Sequence, residues 1–303
     1  MVSFDWAMKR LLRNKANFEV LEGFLSELLR RKIIVKSIGE SEGNKSRETD
    51  KGNRVDMLVE ADGKELVIVE LQYFGEDEYF HRILHGVSRV ILDHLSKGEE
   101  YSNVRKIYSI SIVYFDLGAG DDYVYHGFTD FKGLHTQTFL QLSPAQQLRY
   151  EKTFPGDLFP EYYLIKVGKF NDIAKNTLDE WVYYLKNSRI GDNFTAQGMD
   201  KAREILAFDN LSDEEKAVYD RDQDMKLLRN SEIRTSNLEG WIKGKAEGMN
   251  EGEAIGLEKG RVEEKETVVL NAHKAGCSLE LISSITGLPS AQITEILKKQ
   301  NSF

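Results

Sequence analysis

Between positions 5 and 31 the apolar residues recur at helical spacing: Leu11 and Leu12, then Phe18, Leu21, Phe24, Leu25, Leu28 and Leu29. This pattern predicts two short helices, or one helix bent near Asn14. Residues 33 to 38, Ile-Ile-Val-Lys-Ser-Ile, are β-branched and predict a strand. After a polar stretch over 39–53, two further strand-like runs occupy 55–60 and 65–73. They are separated by Ala61-Asp62-Gly63-Lys64, which carries the Asp-Gly hairpin signal. Positions 76–97 return to helical periodicity and stop at Gly98, and 107–115 read as another strand. Helix, three strands, helix, strand is the order of an α/β core with a hairpin inside it.

Beyond Gly118 the pattern is less regular. Strand-like stretches fall at 123–128 and 136–142, an apolar run lies around 162–167, and helices are predicted over 171–186 and 196–229. Three of the four prolines, Pro144, Pro155 and Pro160, lie in this middle region and favour irregular connections; the fourth is Pro289. Gly240, Gly244, Gly248, Gly252, Gly256 and Gly260 then recur every four residues among Lys and Glu. On an α-helix such a stripe slips by about 40° per repeat, and each glycine costs about 1 kcal/mol relative to alanine. The segment therefore reads either as a charged linker or as a weak helix that needs a partner chain. The last stretch, 268–299, predicts short helices with Ser278 and Ser290 as caps around a Gly287-Leu288-Pro289 turn, the rhythm of a helix-turn-helix. The expected organisation is a core with β extension over 1–170, a helical region over 171–235, the glycine repeat over 236–267 and a small helical tail over 268–303.

Composition changes this picture in only a few ways. A 41% hydrophobic content over 303 residues suffices for a core. The net charge of −9 gives no bulk attraction to nucleic acid or anionic membrane. It is unevenly spread: residues 1–115 hold 18 Lys and Arg against 19 Asp and Glu, so this front part is close to neutral. Within it, residues 1–36 carry eight bases, among them Lys9, Arg10 and Arg13, against four acids. This basic face is a solvated helix surface or a phosphate contact. A single cysteine, Cys277, excludes an internal disulfide and suits a reducing cytoplasm, and neither a signal-peptide pattern nor a run of apolar residues long enough for a membrane span is seen.

The hairpin carries the candidate chemistry. Strand alternation separates Val67, Val69 and Leu71 from Leu66, Ile68, Glu70 and Gln72, and separates Met57 and Val59 from Asp56, Leu58 and Glu60. A two-residue turn at Asp62-Gly63 would set Asp56 and Glu70 on opposite faces. A three-residue loop, Ala61-Asp62-Gly63, would set Asp56 opposite Ile68 and on the face of Glu70, with a continuous apolar face left to pack on a helix. The second is the expected register. Two neighbouring carboxylates repel unless a cation lies between them, and a hard divalent ion is the usual solution.

Asp56 and Glu70-Leu71-Gln72, set in that order of elements, resemble the PD-(D/E)xK nuclease superfamily. More narrowly, the chain resembles its bacterial nuclease family transposases and recombination-promoting nucleases. An opening like Phe4-Asp5-Trp6-Ala7-Met8-Lys9, a Val55-Asp56 strand, a Val69-Glu70-Leu71-Gln72 strand and a Lys97-Gly98-Glu99-Glu100-Tyr101 turn are all present in sequence order. The resemblance is strong over 4–115. It implies a restriction-endonuclease-like core with a C-terminal helical tail, and Mg²⁺- or Mn²⁺-dependent hydrolysis of DNA phosphodiesters linked to recombination or transposition. Asp56 and Glu70 would be the metal ligands and Gln72 a further catalytic residue. Gln72 stands where the superfamily more often has lysine, which leaves open the cation that does its work; Lys51 and Arg54 are candidates, and Lys9 stands in the opening motif. Asp5 or Glu22 could add an acidic ligand. The alternative is an inactive nuclease-like module that binds or oligomerises, with the tail joining copies of the chain.

Other groups carry less. His81 and His85 share a helix face at zinc-ligand spacing, but Arg82 stands where a zincin has glutamate. Gly118-Ala119-Gly120 lacks the Lys-Ser/Thr of a phosphate loop and precedes Asp121-Asp122. Cys277 reads as structural.

Overall fold

The structure is a computed structural model. It describes residues 1–10, 14–39, 57–61 and 65–300, with side chains for all of these except 8–10 and 300. Helices α1 (Phe4–Arg10) and α2 (Phe18–Leu29) open the chain. Phe18, Val20, Leu21, Phe24, Leu25 and Leu28 bury one face of α2, which stops where Arg30 takes a left-handed conformation. Strands β1 (Val35–Gly39), β2 (Met57–Ala61) and β3 (Leu66–Gln72) form an antiparallel meander. Helix α3 (Tyr79–Asp93) then crosses to β4 (Ile107–Val113), parallel to β3. Strand β5 (Val124–Gly127), helix α4 (Pro144–Tyr150) and strand β6 (Glu161–Lys166) follow, and the sheet order is β1-β2-β3-β4-β6-β5.

Every residue of β4 and all but Gln72 of β3 are buried, because helices cover both sheet faces. Odd positions of β3, Val67, Val69 and Leu71, join Tyr108, Ile110 and Ile112 in the main core. That core includes α1, α2 and α5 (Thr177–Asn187) through Phe4, Phe24, Trp181 and Tyr184. Even positions Leu66 and Ile68 join Ile107 and meet Val87 and Val90 of α3. Strand parity thus decides which layer each side chain enters.

The hairpin register differs from the three-residue loop expected at Ala61-Asp62-Gly63. Met57 pairs with Val69, Leu58 with Ile68, Val59 with Val67 and Glu60 with Leu66, and the Ala61 N–H donates to the Glu65 carbonyl. Ala61 is fully buried in the apolar row of Met57 and Val59, so it belongs to the strand and not the turn. The shift is by two positions and leaves the face of each side chain unchanged. Residues 62–64 lie outside the described residues.

The strand expected at 136–142 is replaced by a single bridge, Lys132 to Phe139, with Leu134, Phe139 and Leu140 exposed. The helix expected over 196–229 is two: α6 (Met199–Ile205) packs Met199 and Ala202 into the main core, and α7 (Asp213–Lys274) starts afresh. A reciprocal cap starts it, the Glu215 N–H donating to Ser212 Oγ while the Glu215 carboxylate accepts the Ser212 N–H.

The chain divides into two compact units, 1–222 and 223–303. In the second, the glycine repeat is helical throughout, and every residue from 234 to 265 is exposed. A Cβ on any of its six glycines would meet nothing within 4 Å. At its end Val269 packs with Ile282 of α8 (Leu279–Thr286) and Ile293 of α9 (Ser290–Gln300), and Ser278 caps α8.

Candidate functional site

The α3 face of the sheet begins apolar and turns polar along β3. After Leu66 and Ile68 the next two side chains on that face are Glu70 and Gln72, and their β4 neighbours are Ser111 and Val113. Glu70 is only 6% exposed. Burying a carboxylate costs several kcal/mol unless charge or hydrogen bonds compensate, so Glu70 needs compensating charge at this end of the face. Ser111 is buried beside it, and its Oγ has no hydrogen-bond partner.

Helix α3 supplies the compensating charge. Its buried stripe of Tyr79, Ile83, Gly86, Val87 and Val90 holds it against the sheet and sets Arg82 at the stripe's edge. Arg82 Nη1 donates to Glu76 Oε1 at 2.7 Å, and Gln72 Nε2 donates to the same oxygen at 3.0 Å. One carboxylate before the helix thus ties β3 to α3. Burial works against the Arg82 charge, but the Glu76 hydrogen bond and the charges of Glu70 and Glu76 hold its guanidinium above its ordinary range.

The other sequence-derived candidates are distributed unequally. Asp56, Lys51 and Arg54 lie outside the described residues, as does the side chain of Lys9. Glu22 sits on α2, whose side chains enter the core on the opposite sheet face from Glu70, and its carboxylate accepts the Val35 N–H at 2.8 Å. It fastens β1 and is not brought to Glu70. Asp5, 2% exposed, sits on α1, whose Phe4, Trp6 and Ala7 enter the core on that same opposite face. There the Tyr114 N–H donates to the Gln72 carbonyl and the Tyr114 ring stacks on Tyr73 at 4.3 Å. Burial, with the Asp5 charge adding, pushes the Tyr114 hydroxyl upward. His81 and His85 are exposed on α3.

Arg82, Glu76 and Ser111 were not singled out from the sequence. The signal for Arg82 was present: it falls three residues after Tyr79 and one before Ile83, beside a stripe that must face the sheet. Ser111 carries no such signal, since a serine inside an apolar strand marks no chemistry by itself.

Among the described residues no three His, Cys, Asp or Glu side chains gather as a metal site. The donors at the end of β3 are nevertheless all oxygen: the Glu70 carboxylate, the orphaned Ser111 hydroxyl and the Gln72 amide. Oxygen-only donors fit a hard divalent ion such as Mg²⁺ or Mn²⁺ and do not fit zinc or copper.

The meander, the α3 crossover to a parallel fourth strand and the carboxylate buried on β3 define a PD-(D/E)XK nuclease-like fold. A family model described as PD-(D/E)XK nuclease family transposase matches residues 2–236, and the chain belongs to that family. No curated protein and no solved structure matches it. No helix among the described residues is long and apolar enough to cross a membrane.

Proposed function

We propose that this chain is a Mg²⁺- or Mn²⁺-dependent DNA endonuclease acting in recombination or transposition. The observation that carries the reading is Glu70, a carboxylate kept in a buried position at the end of β3, beside the Ser111 hydroxyl. The family pattern that joins Asp56 to Glu70-Leu71-Gln72 supplies the second carboxylate, and Asp56 and Glu70 would together hold the ion. Such an ion, when bound, lowers the pKa of water and offsets charge on the scissile phosphate. Gln72, hydrogen-bonded to Glu76, fixes the end of β3, and its amide can orient a phosphate oxygen or a water but adds no charge.

Asp56→Ala and Glu70→Ala should each abolish metal-dependent nicking of plasmid DNA while the far-UV dichroism stays that of the parent. Undiminished cleavage in both purified variants would reject the reading.

The second unit supports self-association beside this activity. Thirty-two successive exposed residues, 234–265, with six glycines among them, make a helix that propensity alone would leave marginal. Trp241, Ile255 and Val262 are exposed and share a seven-residue spacing with Gly248 and with Val269, the position buried against α8 and α9. A second copy of the chain on that face would cover them. Diluting the full-length protein should then lower its helical signal together with its sedimentation coefficient; a helix content independent of concentration would argue for a monomer.

A further inference from the structure

The reading above gives the site two carboxylates, a neutral glutamine and an anionic substrate, so phosphate approach needs a positive group of the protein's own. Arg82 is that group among the described residues. Its guanidinium donates to Glu76, the carboxylate that also accepts from Gln72 at the end of β3, and its side chain keeps 27% exposure, enough to meet a ligand.

Competing cations of the sheet are committed elsewhere. Lys166, buried on the same face, lies two strands away, donates to the Gly118 carbonyl at 3.1 Å and sits over the Tyr125 ring. Lys106 and Arg105, at the start of β4, pair with Glu161 at 2.8 Å and Glu60 at 2.9 Å, at the opposite end of the strands from Gln72.

We propose that Arg82 is a catalytic residue of this site, donating to a non-bridging oxygen of the scissile phosphate, and that Glu76 is the residue that positions it. The proposal rests on the endonuclease reading. In the hydrolysis, a water oxygen forms a bond to phosphorus, the bond from phosphorus to the leaving sugar oxygen breaks, the water releases a proton to solvent, and the leaving oxygen takes one up. Arg82 remains protonated throughout. Its role is to offset the charge that gathers on the phosphate oxygens as the new bond forms, where a fixed, half-desolvated donor acts most strongly. Gln72 and Glu76 keep the guanidinium from relaxing away from β3, so the donor is oriented before DNA arrives.

The test uses the full chain with Mn²⁺ alone and with supercoiled plasmid. Arg82→Gln is expected to slow nicking about 100- to 1,000-fold, the loss typical of removing one such donor. Its affinity for Mn²⁺ should stay equal or tighten, because a positive charge beside the ion has been removed. Arg82→Lys should recover part of the rate. Glu76→Gln should lower kcat about tenfold with little change in DNA affinity, which loss of fold would not produce. Adding Gln72→Lys to the Arg82→Gln variant should restore at least tenfold of the lost rate by delivering charge from β3. Nicking by Arg82→Gln at the parent rate, or joint loss of nicking and Mn²⁺ binding with no rescue, would overturn the proposal while leaving the endonuclease reading intact. No nicking by the parent chain with either metal would instead sink that reading, and this assignment with it.

Discussion

The two faces of the central sheet are built from the same strands yet follow different rules. On the side of α1, α2 and α5 every inward residue of β3 and β4 is apolar or aromatic, and the layer is closed by rings. Phe4 packs edge-to-face on Phe24, Trp181 and Tyr184, with centroids 5.6, 6.3 and 6.0 Å away. The Tyr184 hydroxyl, fully buried, donates to the Val2 carbonyl at 2.9 Å. On the α3 side β3 is apolar only through Leu66 and Ile68, after which Glu70 and Gln72 follow, while β4 sets buried Ser109 and Ser111 between Ile107 and Val113. The first face is what a fold needs. The second departs from it with two serines and, at one end, a buried carboxylate, the kind of departure that makes this end the candidate site.

The comparison can be broken from the packed face first. Trp181→Ala should cost about 3–5 kcal/mol in denaturant unfolding, since it empties the centre of the ring cluster. A loss below about 1 kcal/mol would mean that this layer is loosely packed and that the contrast between faces is false. Glu70→Leu probes the other face. Replacing the buried carboxylate by an apolar group of similar size should remove nicking and also lower stability, because the part-buried Arg82 charge loses an acidic neighbour. If instead nicking persisted, Glu70 would be a structural charge partner alone and its burial would say nothing about catalysis.

Much of the front of the molecule was legible because periodicity there is strict. Val67, Val69 and Leu71 against Leu66, Ile68 and Glu70 fixes both layers by parity, and parity survives the two-residue error in register caused by assigning Ala61 to the turn. The site was half legible. Glu70 and Gln72 are local to one strand, but the pairing of Arg82 with Glu76 depends on how α3 folds back, which no short spacing encodes. The glycine repeat was misleading in the opposite sense. Glycines at every fourth position weaken a helix without interrupting it, because each still donates its N–H, and α7 contains no proline. The false strand at 136–142 shows the converse: β-like composition without a neighbouring strand edge yields a single bridge.

The smallest expected effect separates two uses of a buried acid. Glu161, at the start of β6, lies between Lys106 and His126, each 2.8 Å away. Burial tends to raise its pKa, but the hydrogen bonds and charges of those two partners outweigh it and hold the carboxyl below its ordinary value. A depressed pKa in the folded state means that the carboxylate stabilises the fold above its ordinary pKa near 4.5, and that this contribution is lost as pH falls through the lower folded value. Glu161→Gln should therefore be somewhat less stable than the parent at neutral pH and converge with it in acid, with nicking at neutral pH unchanged. Parallel stability curves across that acid range would show that the Lys106 and His126 contacts add nothing, and would remove the contrast between a carboxylate held for the fold and one, Glu70, proposed to be held for the site.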